Sequence, residues 1–85
     1  MPKSVFTDAY RSLIDILITA RTEAGVTQAE LSRRLGKPQP FISKIETGVR
    51  RIDVVEFCVI ARAIGADPLQ LFEKLTIALP RQTTI

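Results

Sequence analysis

Residues 27–48, TQAELSRRLGKPQPFISKIETG, constrain this chain more than any other stretch. Thr27 suits the N-cap of a helix, and Glu30 three positions later completes the T-x-x-E pattern of a capping box. Leu31 and Leu35, at i and i+4, give that helix one apolar face. Gly36 follows where a left-handed residue ends a helix without steric cost. Beyond Lys37-Pro38 a second helix, over 39–46, turns Ile42 and Ile45 inward at i and i+3 and closes at Gly48. Gln39, Ser43 and Lys44 point elsewhere. The pattern is two short helices on a tight turn, the second with a polar outer face.

The charge distribution suggests what that face meets. The formal net charge is only +3. Residues 33–51, however, hold Arg33, Arg34, Lys37, Lys44, Arg50 and Arg51 against the single acid Glu46, so the segment is +5 and the remainder −2. Solvated faces usually mix signs, whereas one-signed charge beside a polar helix is what a phosphate-facing surface requires. Helix, short glycine turn, helix is also the motif whose second member lies in the DNA major groove. Gln39 and Lys44 are long enough to reach a base edge there. Double-stranded DNA is the expected partner.

Eighty-five residues make one small domain, near the lower size at which a core suffices without staples. Apolar residues at 46% are ample for an all-helical core. One cysteine cannot form an internal disulfide, and without histidine no zinc cluster is expected, so neither metal nor cofactor is anticipated. Cys58, among apolar neighbours, reads as a small core residue rather than a redox group. The best apolar run, LIDILITA, is too short for a bilayer and carries Asp15. With no secretion signal, a cytoplasmic location and no membrane contact are expected.

Around the motif, a first helix is expected from Thr7 or Asp8 to Glu23, with Leu13, Leu17 and Ala20 or Ala24 as its core stripe. Ile14, Ile16 and Ile18 spread apolar character beyond one face and need cover from the N-terminal segment, the C-terminal segment or a second subunit. A fourth helix opens at Asp53 with Glu56 as another capping box and closes at Gly65. Val54, Phe57, Ala61 and Ile64 form its stripe, thickened by Val55, Cys58 and Val59. Asp67-Pro68, cap then N1 proline, starts a fifth helix through Leu69, Phe72 and Leu75. The expected fold is all-α, a compact five-helix bundle. Residues 1–6 form an N-terminal segment, 7–76 the domain and 77–85 a tail.

The run AGVTQAELSRRLG…ISKIETG resembles the helix-turn-helix of the phage repressor, Cro and xenobiotic-response-element (XRE) regulator family. The resemblance covers roughly residues 10–75: the TQ opening the first helix of the pair, leucines and glycine at matched spacing, and IS-x-x-E-x-G closing the second. It implies a lambda-repressor-like DNA-binding domain. It also implies that Gln28 clamps the DNA backbone, where the bland alternative is a surface glutamine. Gln39, Ser43 and Lys44 align with the groove-facing positions. Gln39 suits adenine, Lys44 suits guanine O6 and N7, and Ser43 suits base or phosphate. Pro40 departs from many relatives, which carry a polar residue there; it is tolerated in a first turn and can pack on a thymine methyl. Phe41 lies over DNA or tucks against the helix pair.

In the family the loop after the recognition helix follows the phosphates, which implies that role for Thr47, Arg50 and Arg51, with Lys37 beside them. Arg33 and Arg34 diverge by about 100°, so at most one faces DNA. The resemblance further implies a structural salt bridge between Arg21 and Glu46, with a phosphate contact for Arg21 as second choice. Neither is visible from spacing.

Function follows from these parts. A sequence-specific transcriptional regulator, repressor or controller, is expected to bind a partly symmetric operator as a homodimer, because one such domain reads too few base pairs alone. Surplus apolar residues Leu69, Phe72, Leu75 and Ile77 are the candidate dimer contacts. A different class, an antitoxin that binds a toxin through that surface and represses its own operon, is the alternative. An enzyme is not expected: no nucleophile with a base, phosphate-cradling loop or paired carboxylates are evident.

Overall fold

A computed structural model describes residues 7–83; the expected N-terminal segment, 1–6, lies outside the described residues. Five helices follow one another: α1 (Asp8–Glu23), α2 (Gln28–Arg34), α3 (Pro40–Glu46), α4 (Val54–Ile64) and α5 (Pro68–Ala78). α2 packs on α3, α5 lies against α1 and α4, and α1 touches α3 and α4. The described residues contain no strand, and the all-α bundle is as expected.

The capping residues act largely as their chemistry dictates. Thr7 accepts from the Tyr10 N–H at 3.0 Å, and Thr27 accepts from the Glu30 N–H at 3.0 Å. At α4 the reciprocal box is complete: Asp53 accepts from Glu56 N–H at 2.7 Å, and Glu56 accepts from Asp53 N–H at 2.9 Å. At α2 the box is only half made. The Glu30 carboxylate turns forward to Arg33 and Arg34, because two guanidiniums outbid one backbone N–H. Asp67 caps α5 through the Leu69 N–H at 2.9 Å, with Pro68 at the first position. Gly36, at φ +67°, provides the left-handed turn between α2 and α3.

The core differs in detail from the sequence expectation. The buried line of α1 is Tyr10, Ile14 and Leu17, with Ile14 fully enclosed and Leu13 only half-buried. The reason is that α1 is wrapped from several sides: α5 covers the Ile16 flank, and Ile16 and Ile18, on different faces, both lie half-buried against the core. In α4, Ile60 joins Phe57, Ala61 and Ile64, whereas Val54, in the first turn at the rim, is exposed. Cys58 is half-buried rather than core. In α5 only Leu71 is buried; the helix runs through Ala78, two residues into the expected tail.

Ser32 is the buried polar side chain of the described core, and it does a cap's work from another helix. The Gln39 side chain, at the N-cap position of α3, makes no cap bond. The Ser32 hydroxyl accepts from the Ile42 N–H at 3.2 Å and donates to the Gln39 carbonyl at 3.2 Å. One hydroxyl thus satisfies a donor and an acceptor at the start of α3. Replacing Ser32 by alanine strands the buried Ile42 N–H and removes a partner of the part-buried Gln39 carbonyl, and we expect a loss of about 1–3 kcal/mol in chemical denaturation. A loss indistinguishable from zero would mean water replaces the hydroxyl.

Candidate nucleic-acid interface

Glu46, at the end of α3, gathers three helices. Arg21 on α1 donates to it twice, Nε to Oε2 at 2.7 Å and Nη2 to Oε1 at 3.0 Å, and the pair is mostly buried, with side chains 12% and 9% exposed. The third arm of Arg21, Nη1, donates to the Val26 carbonyl at 2.9 Å in the α1–α2 turn. Gln28, the first residue of α2, donates from Nε2 to Glu46 Oε1 at 2.7 Å. The salt bridge that the family resemblance implied is therefore present in the geometry, and Arg21 is committed to it. Gln28 keeps its second amide hydrogen and its oxygen for other partners.

Gln28, Gln39, Pro40 and Ser43 line one open groove between the beginnings of α2 and α3. Gln39, Pro40 and Lys44 are exposed, and Ser43 is half-exposed, so all four expected base readers share the outer side of α3. The Thr47 hydroxyl donates back to the Ser43 carbonyl at 2.8 Å and closes the helix. Phe41 is half-buried beneath two cations. The Lys37 ammonium stands 5.5 Å from its ring centroid, and the Arg50 guanidinium carbon 5.0 Å. It tucks against the helix pair and also spaces those cations. Arg51 stacks on the Tyr10 ring, its guanidinium carbon 3.9 Å from the centroid. The hydroxyl of Tyr10 in turn accepts the Ile52 N–H at 3.1 Å, anchoring the loop to α1.

Comparison with known proteins agrees with this geometry. A helix-turn-helix family model matches residues 17–71. The chain belongs to that family. A solved structure of an XRE-family like protein from Pseudomonas syringae pv. tomato str. DC3000 superposes with a TM-score of 0.80 at 50% identity, covering 85% of this chain and 88% of that one. Repressor protein C of Rhizobium phage 16-3 is 36% identical over 66 residues, which is 78% of this chain but 25% of the repressor. The chain thus spans a quarter of that relative's length. Its helix-turn-helix is a DNA-binding domain of the XRE and repressor kind. Among the described residues no helix is long and apolar enough to cross a membrane.

The electrostatics of this helix-turn-helix differ from a count along the chain. Arg33 and Arg34 both grip Glu30, and Arg34 also donates to the Ala63 carbonyl at 2.9 Å, pinning α2 to α4. Arg50 pairs with Glu56 at 2.6 Å. Half of the six basic residues in 33–51 therefore carry an acid from outside that segment. Among the described residues, no carboxylate lies within ion-pairing distance of Lys37 or Lys44, both exposed. Sequence reasoning missed Ser32, Tyr10 and the second role of Glu56, which depend on tertiary contacts; the D-x-x-E spacing signalled only the cap.

Two outcomes follow. Glu46→Ala leaves Arg21 buried without its carboxylate and should cost about 3–5 kcal/mol in denaturant unfolding; an unchanged midpoint would refute the network's structural role. Hydrogen bonds from Arg33 and then Arg34 hold the Glu30 carboxyl at about 2 rather than 4.5. Its contribution is fully present above pH 4.5 and is lost as pH falls through 2. An NMR titration of that carboxyl with a midpoint near 4.5 would show that the grip is absent in solution.

Proposed function

We propose that this regulator reads a partly symmetric operator as a homodimer, with Gln39, Pro40, Ser43 and Lys44 on base edges. Gln28, Lys37, Thr47, Arg50 and Arg51 meet the phosphates. The observation that carries the reading is the shared groove of Gln28, Gln39, Pro40 and Ser43 beside the cation row of Lys37 and Arg50. Backbone contact and base contact then come from adjacent residues, so the first sets the register for the second.

The dimer rests on an apolar surface and on dimensions. Leu69 is 74% exposed, Phe72 49% and Ile77 78%, on the side of α5 opposite buried Leu71; Leu75 is half-buried and contributes less. Val54 and Cys58 of α4 line a groove with Leu69 and Phe72, so the surface spans two helices. It begins where the Arg50–Arg51 loop ends. A homodimer joined there would have to present both recognition helices to one face of the DNA. The molecule measures 37 × 32 × 21 Å. Copies abutting along either long dimension place their centres about one DNA turn, ~34 Å, apart.

Selection of bound duplexes from a random library should return a two-fold symmetric motif with half-sites about 10 base pairs apart. Gln39→Ala and Lys44→Ala should each relax preference at a single position, worth about 1–3 kcal/mol at the matched base. Uniform weakening at every position would refute the assignment of the reading face. Phe72→Glu should convert the dimer to monomer in sedimentation and abolish the symmetric motif. A wild-type protein that is monomeric with and without DNA would refute the homodimer and turn attention to a foreign partner on that surface, such as a toxin.

A further inference from the structure

Arg50 enters the phosphate-facing loop already engaged on three sides. Its Nη2 donates to Glu56 Oε2 at 2.6 Å, its Nη1 donates to the Arg51 carbonyl at 3.0 Å, and its plane lies over Phe41. Glu56 has two tasks of its own. Oε1 takes the Asp53 N–H that caps α4, and Oε2 takes Arg50. The Arg50 hydrogen bond, then the Asp53 backbone bond, hold the Glu56 carboxyl below its ordinary range, so it is charged wherever DNA is bound. Neither partner is deep: the Arg50 side chain is 41% exposed and that of Glu56 30%.

We propose that Glu56 is a built-in competitor for Arg50, an intramolecular stand-in for phosphate that lowers affinity for every DNA sequence alike. The inference rests on the reading of Arg50 as a phosphate contact. An incoming phosphate either displaces Glu56 from Nη2, leaving its carboxylate with the Asp53 N–H but without its bonded guanidinium, or bonds the other N–H groups of Arg50. In the second case two negative groups share one guanidinium, roughly 6–7 Å apart, and repel. Both routes cost affinity. An arginine already neutralised by a carboxylate also releases fewer counterions when DNA replaces solvent.

The opposite role, Glu56 as the group that aims Arg50, is weaker on the same geometry. The Phe41 ring and the Arg51 carbonyl already hold the guanidinium and persist without the carboxylate. Aiming is thus supplied twice over, whereas the carboxylate bonded to Arg50 is that of Glu56, Asp53 adding only a weaker charge from further off.

Glutamine at position 56 separates the two tasks, because an amide oxygen still accepts the cap hydrogen bond while the charge is gone. Glu56→Gln, Arg50→Ala and the double variant would be compared by fluorescence anisotropy on the selected operator and on an unrelated duplex, across a salt series. Melting temperatures would verify that α4 remains capped. We expect Glu56→Gln to tighten both duplexes by about three- to tenfold and to steepen the salt dependence by about one. In the Arg50→Ala background the same change should do little. Unchanged or weaker binding by Glu56→Gln would overturn the proposal in favour of aiming. Equal tightening without Arg50 would overturn it as a mere loss of surface charge. Wild-type protein that binds neither duplex would instead bring down the DNA reading itself, and this inference with it.

Discussion

The orientation of the two short helices rests on the carboxylate of Glu46. α2 and α3 have seven residues each, too few for either to be stable alone, so their relation must be imposed by tertiary contacts. Glu46 does this with directional bonds: both oxygens bind Arg21 from α1, and one also binds Gln28 at the start of α2. Apolar contacts of Leu31, Ile42 and Ile45 beneath supply burial but little direction. The ion pair adds the angle. A buried pair of this kind need not raise stability, since desolvation offsets attraction, but it makes alternative packings costly.

Much of this was legible from residue chemistry. The order and approximate ends of five helices followed from Thr27, Asp53 and Asp67 as caps, from Pro68, and from the glycine turns, whereas the Thr7 cap of α1 was not singled out. The two capping boxes show where that reasoning stops. T-x-x-E and D-x-x-E have the same spacing, yet only the second closes. Glu30 has arginines three and four residues ahead, one turn along its own helix, and they draw its carboxylate away from the cap. Glu56 meets its arginine behind it, in the loop at the cap side, so it reaches Arg50 and Asp53 together.

The site was legible by type rather than by state. The outer side of α3 follows from which residues must turn inward, and Ile42 and Ile45 leave Gln39, Ser43 and Lys44 outside. What chain position could not reveal is which cations carry acids. Glu30 and Glu56 lie outside the basic segment in sequence and against it in space. A window of charges along the chain therefore overstates the positive field that DNA meets. Core details slipped for a related reason: burial is decided by which neighbours arrive, and α5 covers a flank of α1 that a one-face stripe ignores.

Ser32 has a consequence for how such a protein acquires new targets. Helices ordinarily reserve their opening residue for a side chain that satisfies their own free N–H groups. Here that duty has passed to a serine on the preceding helix, and the side chain of Gln39 makes no cap bond. The first outward residue of α3 is thereby released from holding the helix together. On the proposed reading of Gln39 as a base contact, its identity can drift from one operator to another while the scaffold beneath stays constant, so the vocabulary of the reading head is separated from the grammar of the fold.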